Sequence, residues 1–162
     1  MEQWSGFFST LAGAAAALLA VSFVTFQLKI EIWRRGGRLR HLTAVFTVWE
    51  FGAPLLIALI MAMPARPWRV AAILTGLIGL AVLGTYWVTY ARTPRSRRES
   101  FDRQQFKLSF ISLGAFGGMV VAGLLWEQTG IYLLASLSLW SLLSGTYEAW
   151  VYLELPSEGQ GS

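Results

Sequence analysis

Five stretches of about 20 mostly apolar residues follow one another along this chain, with only short polar loops between them. A helix of about 20 such residues crosses roughly 30 Å of hydrocarbon. The stretches run from Phe8 to Leu28, Leu42 to Met63, Val70 to Tyr90, Leu108 to Trp126 and Ile131 to Leu153. Of the 162 residues, 55% are hydrophobic and 14% charged, against about 25% charged in an ordinary soluble domain. A soluble domain of this size has no means of hiding so much apolar surface. The expected fold is all-α, a polytopic membrane protein of five transmembrane helices: one leading helix followed by two helical hairpins. Residues 1–155 form a single five-helix transmembrane domain, and 156–162 a short flexible carboxyl-terminal tail. No stretch outside the spans has room for a soluble domain, and no Walker or Rossmann glycine motif is present.

Basic residues set the expected orientation. The first loop carries Lys29, Arg34, Arg35, Arg38 and Arg40, and the third carries Arg92, Arg95, Arg97, Arg98, Arg103 and Lys107. The second carries only Arg66 and Arg69, and the fourth none. The positive-inside rule puts loops one and three in the cytoplasm, the amino terminus outside and the carboxyl terminus inside. Met1-Glu2-Gln3-Trp4 has no basic region ahead of the apolar run, so the first helix reads as a retained span rather than a cleaved signal. The same bias opposes insertion both ways round, so copies that assemble do so in parallel. The basic balance is topogenic and not a nucleic-acid surface. Arg34, Arg35, Arg38, Arg97 and Arg98 are candidates for contact with anionic lipid headgroups. With no Cys there is no disulfide and no thiolate site.

Tight turns at Pro64–Trp68 and at Glu127–Gly130 make the helices on either side of each antiparallel neighbours. Small residues spaced by four (Gly114, Gly118 and Ala122 in the fourth span, Ser9, Gly13 and Ala17 in the first with Ala12, Ala16 and Ala20 beside them, and Ala72 and Gly76 in the third with Gly79 adjacent) suit close helix packing in lipid. The packing candidates are Gly13, Ala17, Gly114 and Gly118. The fifth span carries Ser138, Ser141, Gly145, Glu148 and Tyr152 on one face, flanked by Ser136 and Ser144. That stripe is either hydrogen-bond glue between helices or the wall of a hydrated pathway.

Two acids lie inside spans, Glu50 and Glu148. An acid in the membrane interior costs about 2.5 to 3.5 kcal/mol on insertion scales, and no Lys or Arg lies at comparable depth. At about 1.5 Å per residue, Glu50 is about 12 Å and Glu148 about 8 Å in from the cytoplasmic side. They share a layer, with Gln27 somewhat nearer the cytoplasm. Pro54 lacks the N–H that would bond the main-chain oxygen of Glu50, and Gly52 loosens the same turn. The freed oxygen and the carboxyl suit a hard cation. The structural alternative is a proline kink in which a protonated Glu50 bonds a neighbouring Ser, Thr or Trp. In a parallel homo-oligomer, Glu148 would form a cation-attracting ring. The ion-pathway candidates are therefore Glu50, Glu148, Gln27, Ser138, Ser141 and Ser144, with Gly52 and Pro54 as the kink.

The chemistry of an enzyme is missing. The chain has a single His, His41, at a boundary, and a single Asp, Asp102, read as a loop residue. Neither a nucleophile–base pair, a zinc site nor an aspartyl dyad is available within the spans. No enzyme activity and no cofactor is expected, and the identity of any bound metal stays open. The leading helix, from Phe7-Phe8-Ser9-Thr10-Leu11-Ala12 through Gly13 to Leu18, resembles the start of small uncharacterised bacterial polytopic inner-membrane proteins. Some of these are labelled as modulators of a membrane-bound protease. The resemblance implies a bacterial inner membrane and an accessory role.

Three functions are expected in descending order. The first is a parallel homo-oligomeric channel or passive cation or proton pathway. The second is an accessory or scaffold subunit of a larger membrane partner. The third is a lipid-binding protein using the arginine-rich loops.

Overall fold

The computed structural model describes residues 2–28, 37–63, 67–94, 96 and 100–153. The described residues form five helices: α1 (Glu2–Leu28), α2 (Gly37–Met61), α3 (Trp68–Arg92), α4 (Ser100–Leu124) and α5 (Glu127–Leu153). Each has 25 or 27 residues, or about 38 to 40 Å at 1.5 Å per residue. The helices outrun the apolar stretches. α4 starts at Ser100, so the third loop is shorter than the apolar boundaries imply. Asp102 is then a first-turn helical residue that is buried, not a loop residue. α2 enters through Gly37 at a φ of +68°, a left-handed conformation that side chains with a Cβ rarely adopt.

Four helices are long and apolar enough to cross a membrane, over Trp4–Gln27, Gly37–Met61, Trp68–Arg92 and Asp102–Leu124. This is the composition of a membrane protein. The fifth expected span, α5, is not among these four. α5 matches the others in length, but its four serines and Glu148 lower its hydropathy. A helix of that kind is stable in lipid only where neighbours cover its polar face.

The packing provides that cover. α2 and α3, α3 and α4, α4 and α5, and α5 and α2 are neighbours, which closes a four-helix bundle. α1 lies outside it against α2 and α5. Only 22% of the apolar window of α1 is buried, against 50% for α2. α1 attaches through Phe8, Leu11, Ala15, Ser22 and Thr25, a single face at helical spacing. At the centre of the bundle the rings of Phe46 and Phe116 meet edge to face across the diagonal, with centroids 6.2 Å apart.

Small residues set how closely the helices approach, on the third span at the expected Gly76 and Gly79 and on the first and fourth only in part. A Cβ on Gly79 would lie 2.5 Å from the Phe116 ring, and one on Gly76 would lie 2.7 Å from the Phe116 carbonyl oxygen. Gly123 meets Ile73 and the carbonyl of Arg69, and Gly130 meets Trp68 and the carbonyl of Ala122. Of the packing candidates, Gly118 does face a neighbour, Leu137 of α5. Gly13, Ala17 and Gly114 are exposed, and nothing lies within 4 Å of a Cβ built on either glycine. Spacing by four marks a smooth face on a helix. It does not say whether that face turns toward this chain or away from it.

The core changes character along the bundle axis. The end formed by the start of α2, the end of α3 and the start of α4 carries Arg38, Arg40, Arg92 and Arg103, and is called the basic end below. Near the opposite end the core is apolar, with Ile57, Met61, Ala72, Met119, Ile131 and Leu134 all buried. In the basic half the buried residues include Thr43, Thr47, Glu50, Asp102, Gln105, Ser109, Ser112 and Glu148.

Gly79→Leu should therefore force α3 from α4 and destabilise the bundle by about 1 to 3 kcal/mol, the usual cost of overpacking. Gly114→Leu, which enters open space, should leave the thermal unfolding midpoint in detergent near that of the wild type. Equal midpoints for the two variants would refute this assignment of the α3–α4 seam.

Candidate functional site

The site is built where α2, α4 and α5 meet. α2 and α5 run antiparallel: Thr47 faces Glu148, Glu50 faces Gly145, and the main chain at Glu50 faces Ser141. Gly145 makes this approach possible, since a Cβ there would lie 3.1 Å from the Cβ of Glu50 and from the Phe51 ring. Glu50 and Glu148 are each 1% exposed. They occupy adjacent turns of one layer, because Thr47 and Glu50 are one turn apart, as are Gly145 and Glu148.

Hydroxyl groups satisfy the two acids. Ser112 of α4 donates to Oε1 of Glu50 across the bundle diagonal at 2.5 Å. Ser144 of α5 donates to the same oxygen at 3.2 Å. Pro54 withholds the N–H that would bond the Glu50 carbonyl, and Ser141 donates to that oxygen instead, at 2.9 Å. The oxygen freed by the proline is thus occupied by a side chain of a neighbouring helix.

Thr47 carries a choice of proton position. Its Oγ1 lies 2.7 Å from Oε2 of Glu148 and 3.1 Å from the carbonyl oxygen of Thr43. A hydroxyl has one proton to give. Either Thr47 donates to Glu148, or it donates to Thr43 and accepts from a protonated Glu148. Oε2 of Glu50 and Oε1 of Glu148 have no hydrogen-bond partner among the described residues. Every hydrogen-bond partner that the described residues give the two carboxyls is a Ser or Thr hydroxyl.

Further polar groups extend from this layer toward the basic end. Asp102, Gln105, Ser109 and Ser112 recur along α4 at intervals of three and four, and all four are buried. Trp87 donates to Ser109 at 2.7 Å, and Ser109 donates to the carbonyl of Phe106 at 2.7 Å. The Tyr86 hydroxyl and Nε2 of Gln105 are buried without a hydrogen-bond partner among the described residues.

The sequence-derived candidates distribute as follows. Glu50, Glu148, Ser141 and Ser144 come together, beside the buried Pro54. Ser138 is buried, but its hydroxyl bonds the carbonyl of Leu134 in its own helix, at 2.7 Å. Gln27 is exposed on α1 and takes no part. A Cβ on Gly52 would meet only the Trp49 ring, at 3.9 Å, so no close contact requires glycine there. Glu148 turns toward α2 of its own chain rather than outward to a second copy. Arg34, Arg35, Arg97 and Arg98 lie outside the described residues.

Sequence reasoning missed Ser112 and Thr47, which hold the two acids. The signal for Ser112 was present in the stripe on α4, which has the same spacing as the recognised stripe on α5. Thr47 had no such signal, because a threonine in an apolar helix most often bonds its own backbone.

Among the described residues no three of His, Cys, Asp or Glu converge on a point where a metal ion could be held. No protein-family model, curated protein or solved structure matches the chain.

Ser141→Ala should strand the Glu50 carbonyl in the core and cost about 1 to 3 kcal/mol, as expected for an unsatisfied buried acceptor. Ser136→Ala removes an exposed hydroxyl bonded only to its own helix, and should be nearly neutral. Chemical or thermal unfolding in detergent compares the two, and equal stabilities would refute the role given to Ser141.

Proposed function

We propose that this chain is a five-span protein of a bacterial inner membrane and provides a proton pathway in which Glu50 and Glu148 are the carriers. The observation that carries this reading is the pair of buried carboxyls in one layer, each held through one oxygen by hydroxyls and each with the other oxygen unpartnered. Protons suit the site better than metal cations. The oxygen donors of a cation cage are few here, and the freed main-chain oxygen of Glu50 already accepts from Ser141.

Several features support the pathway. The polar residues of the basic half lead from Asp102 past Ser109 and Thr47 to Glu148 and Glu50. Hydroxyls that donate and accept in turn suit proton relay, and Thr47 has two acceptors for its one proton. Beyond Glu50 the core is mostly apolar, with only the hydroxyls of Thr75 and Ser138 among the described buried residues, so the basic end is the open side of the pathway and the far half its barrier. α5 is as long as α2 and antiparallel to it, which supports a fifth span. The basic loops support an amino terminus outside and a carboxyl terminus in the cytoplasm.

A second reading is an accessory or scaffold subunit within a larger membrane complex. It is favoured by the outward face of α1, where Ser9, Gly13, Ala16, Ala17 and Ala20 are all exposed. A parallel second copy would pack on the same face.

Flux decides between the two. In liposomes carrying a pH-sensitive dye, the wild type should collapse an imposed pH gradient. Glu50→Gln and Glu148→Gln should each reduce the rate to that of empty liposomes. A wild type no faster than empty liposomes, or variants as fast as the wild type, would overturn the proton reading. Orientation is tested separately, since the chain has no native Cys. Ser96→Cys should react with an impermeant thiol reagent only from the cytoplasmic side, and Gln128→Cys only from the outside. The reverse pattern would overturn the topology.

A further inference from the structure

A cavity of about 890 Å³ opens on the flank of the bundle at its basic end. It lies between the first turn of α2 and the last turns of α3, with Asp102 of α4 contributing to its lining. The lining is graded. Arg38, Arg40 and Arg92 are among the lining residues, against the single acid Asp102, so the lining at this end is net positive. Along α3, Ala81, Gly84 and Val88 continue the lining away from the arginines. A Cβ on Gly84 would meet nothing within 4 Å, so this glycine leaves a trough.

The groove continues onto an apolar surface. Below Gly84 the exposed flank of α3 continues through Ile78, Leu77 and Leu74, each 43 to 53% exposed. Gly84 is eight residues from Arg92, about 12 Å along the helix. A positive mouth at headgroup depth thus opens onto an apolar trough that runs toward the membrane centre. A soluble anion would use the mouth alone, whereas an amphiphile with an anionic head uses both parts. The threonines also favour such a head. The hydroxyls of Thr85 and Thr89 donate to carbonyls of their own helix, so they are left to accept from a hydroxyl-bearing headgroup.

We propose that this cavity binds an anionic glycerophospholipid. Its phosphate lies among Arg38, Arg40 and Arg92, and one acyl chain follows α3 past Gly84. The site stands apart from the carboxyl pair, and it holds whether or not the chain conducts protons. Asp102 lines both the cavity and the buried polar core, so a bound lipid would sit at the mouth of the polar half of the bundle.

Native mass spectrometry of the full chain, purified in detergent and titrated with lipid, tests the proposal. Phosphatidylglycerol should bind in preference to phosphatidylcholine. Arg38→Gln and Arg92→Gln should each weaken it about fivefold, the worth of one basic residue near an anionic lipid. Gly84→Leu keeps every charge and fills the trough, so it should weaken lipid binding while leaving the unfolding midpoint unchanged. Inorganic phosphate at millimolar concentration should not displace the lipid. The proposal is overturned if both lipids bind alike, if the three variants bind as the wild type does, or if phosphate alone competes.

Discussion

Two carboxyl groups in the middle of a helical bundle, held among the described residues by hydroxyls alone, constrain the rest of this structure. An acid taken out of water into a medium of low dielectric constant is destabilising by several kcal/mol unless its oxygens are bonded. Glu50 draws Ser112 from α4 and Ser144 from α5, and Glu148 draws Thr47 from α2. Three helices are thereby tied at one level. α5, the helix outside the four most suited to cross a membrane, is placed where α2 and α4 shelter its polar face. The glycine at position 145 follows from the same requirement, because a side chain there would push Glu50 away from its donors.

The break in α2 belongs to the same arrangement. A proline in a helix leaves one carbonyl without its N–H, and a buried carbonyl without a donor is destabilising. Here the carbonyl in question is that of Glu50, and Ser141 reaches it from the neighbouring helix. Main chain and side chain of one residue are therefore both bonded by α5, at Ser141 and Ser144, successive positions on one face. This sets the register of α5 against α2 more firmly than apolar packing alone, which tolerates sliding. The bundle divides at this level into a polar half and an apolar half, and the division gives the site a direction.

Much of this was legible in the residues themselves. Glu50 and Glu148 stood out because acids are rare in apolar stretches, and Pro54 pointed to the one carbonyl that needed a donor. The stripe of Ser141, Ser144 and Glu148 announced a polar face at helical spacing. What failed was the assignment of partners. Gly76 and Gly79 make the close approaches their spacing suggests, whereas Gly13 and Gly114, with equally regular spacing, face outward. Gln27 lies at a plausible depth, but on the exposed side of a peripheral helix. Asp102 looked like a loop residue because apolarity ends before the helix does.

Sequence alone determined the material of this protein: helices long and apolar enough for a membrane, basic loops at one end, and acids with no base at their depth. Those properties are local, since periodicity, hydropathy and the missing proline N–H are written into single segments. Tertiary structure alone decided who meets whom. Ser112 reaching Glu50 across the bundle, Thr47 reaching Glu148, and three arginines gathering above a glycine trough depend on the rotation and offset of each helix about its axis. Those offsets follow from the sum of many weak contacts along whole helix faces, and no single segment contains that sum.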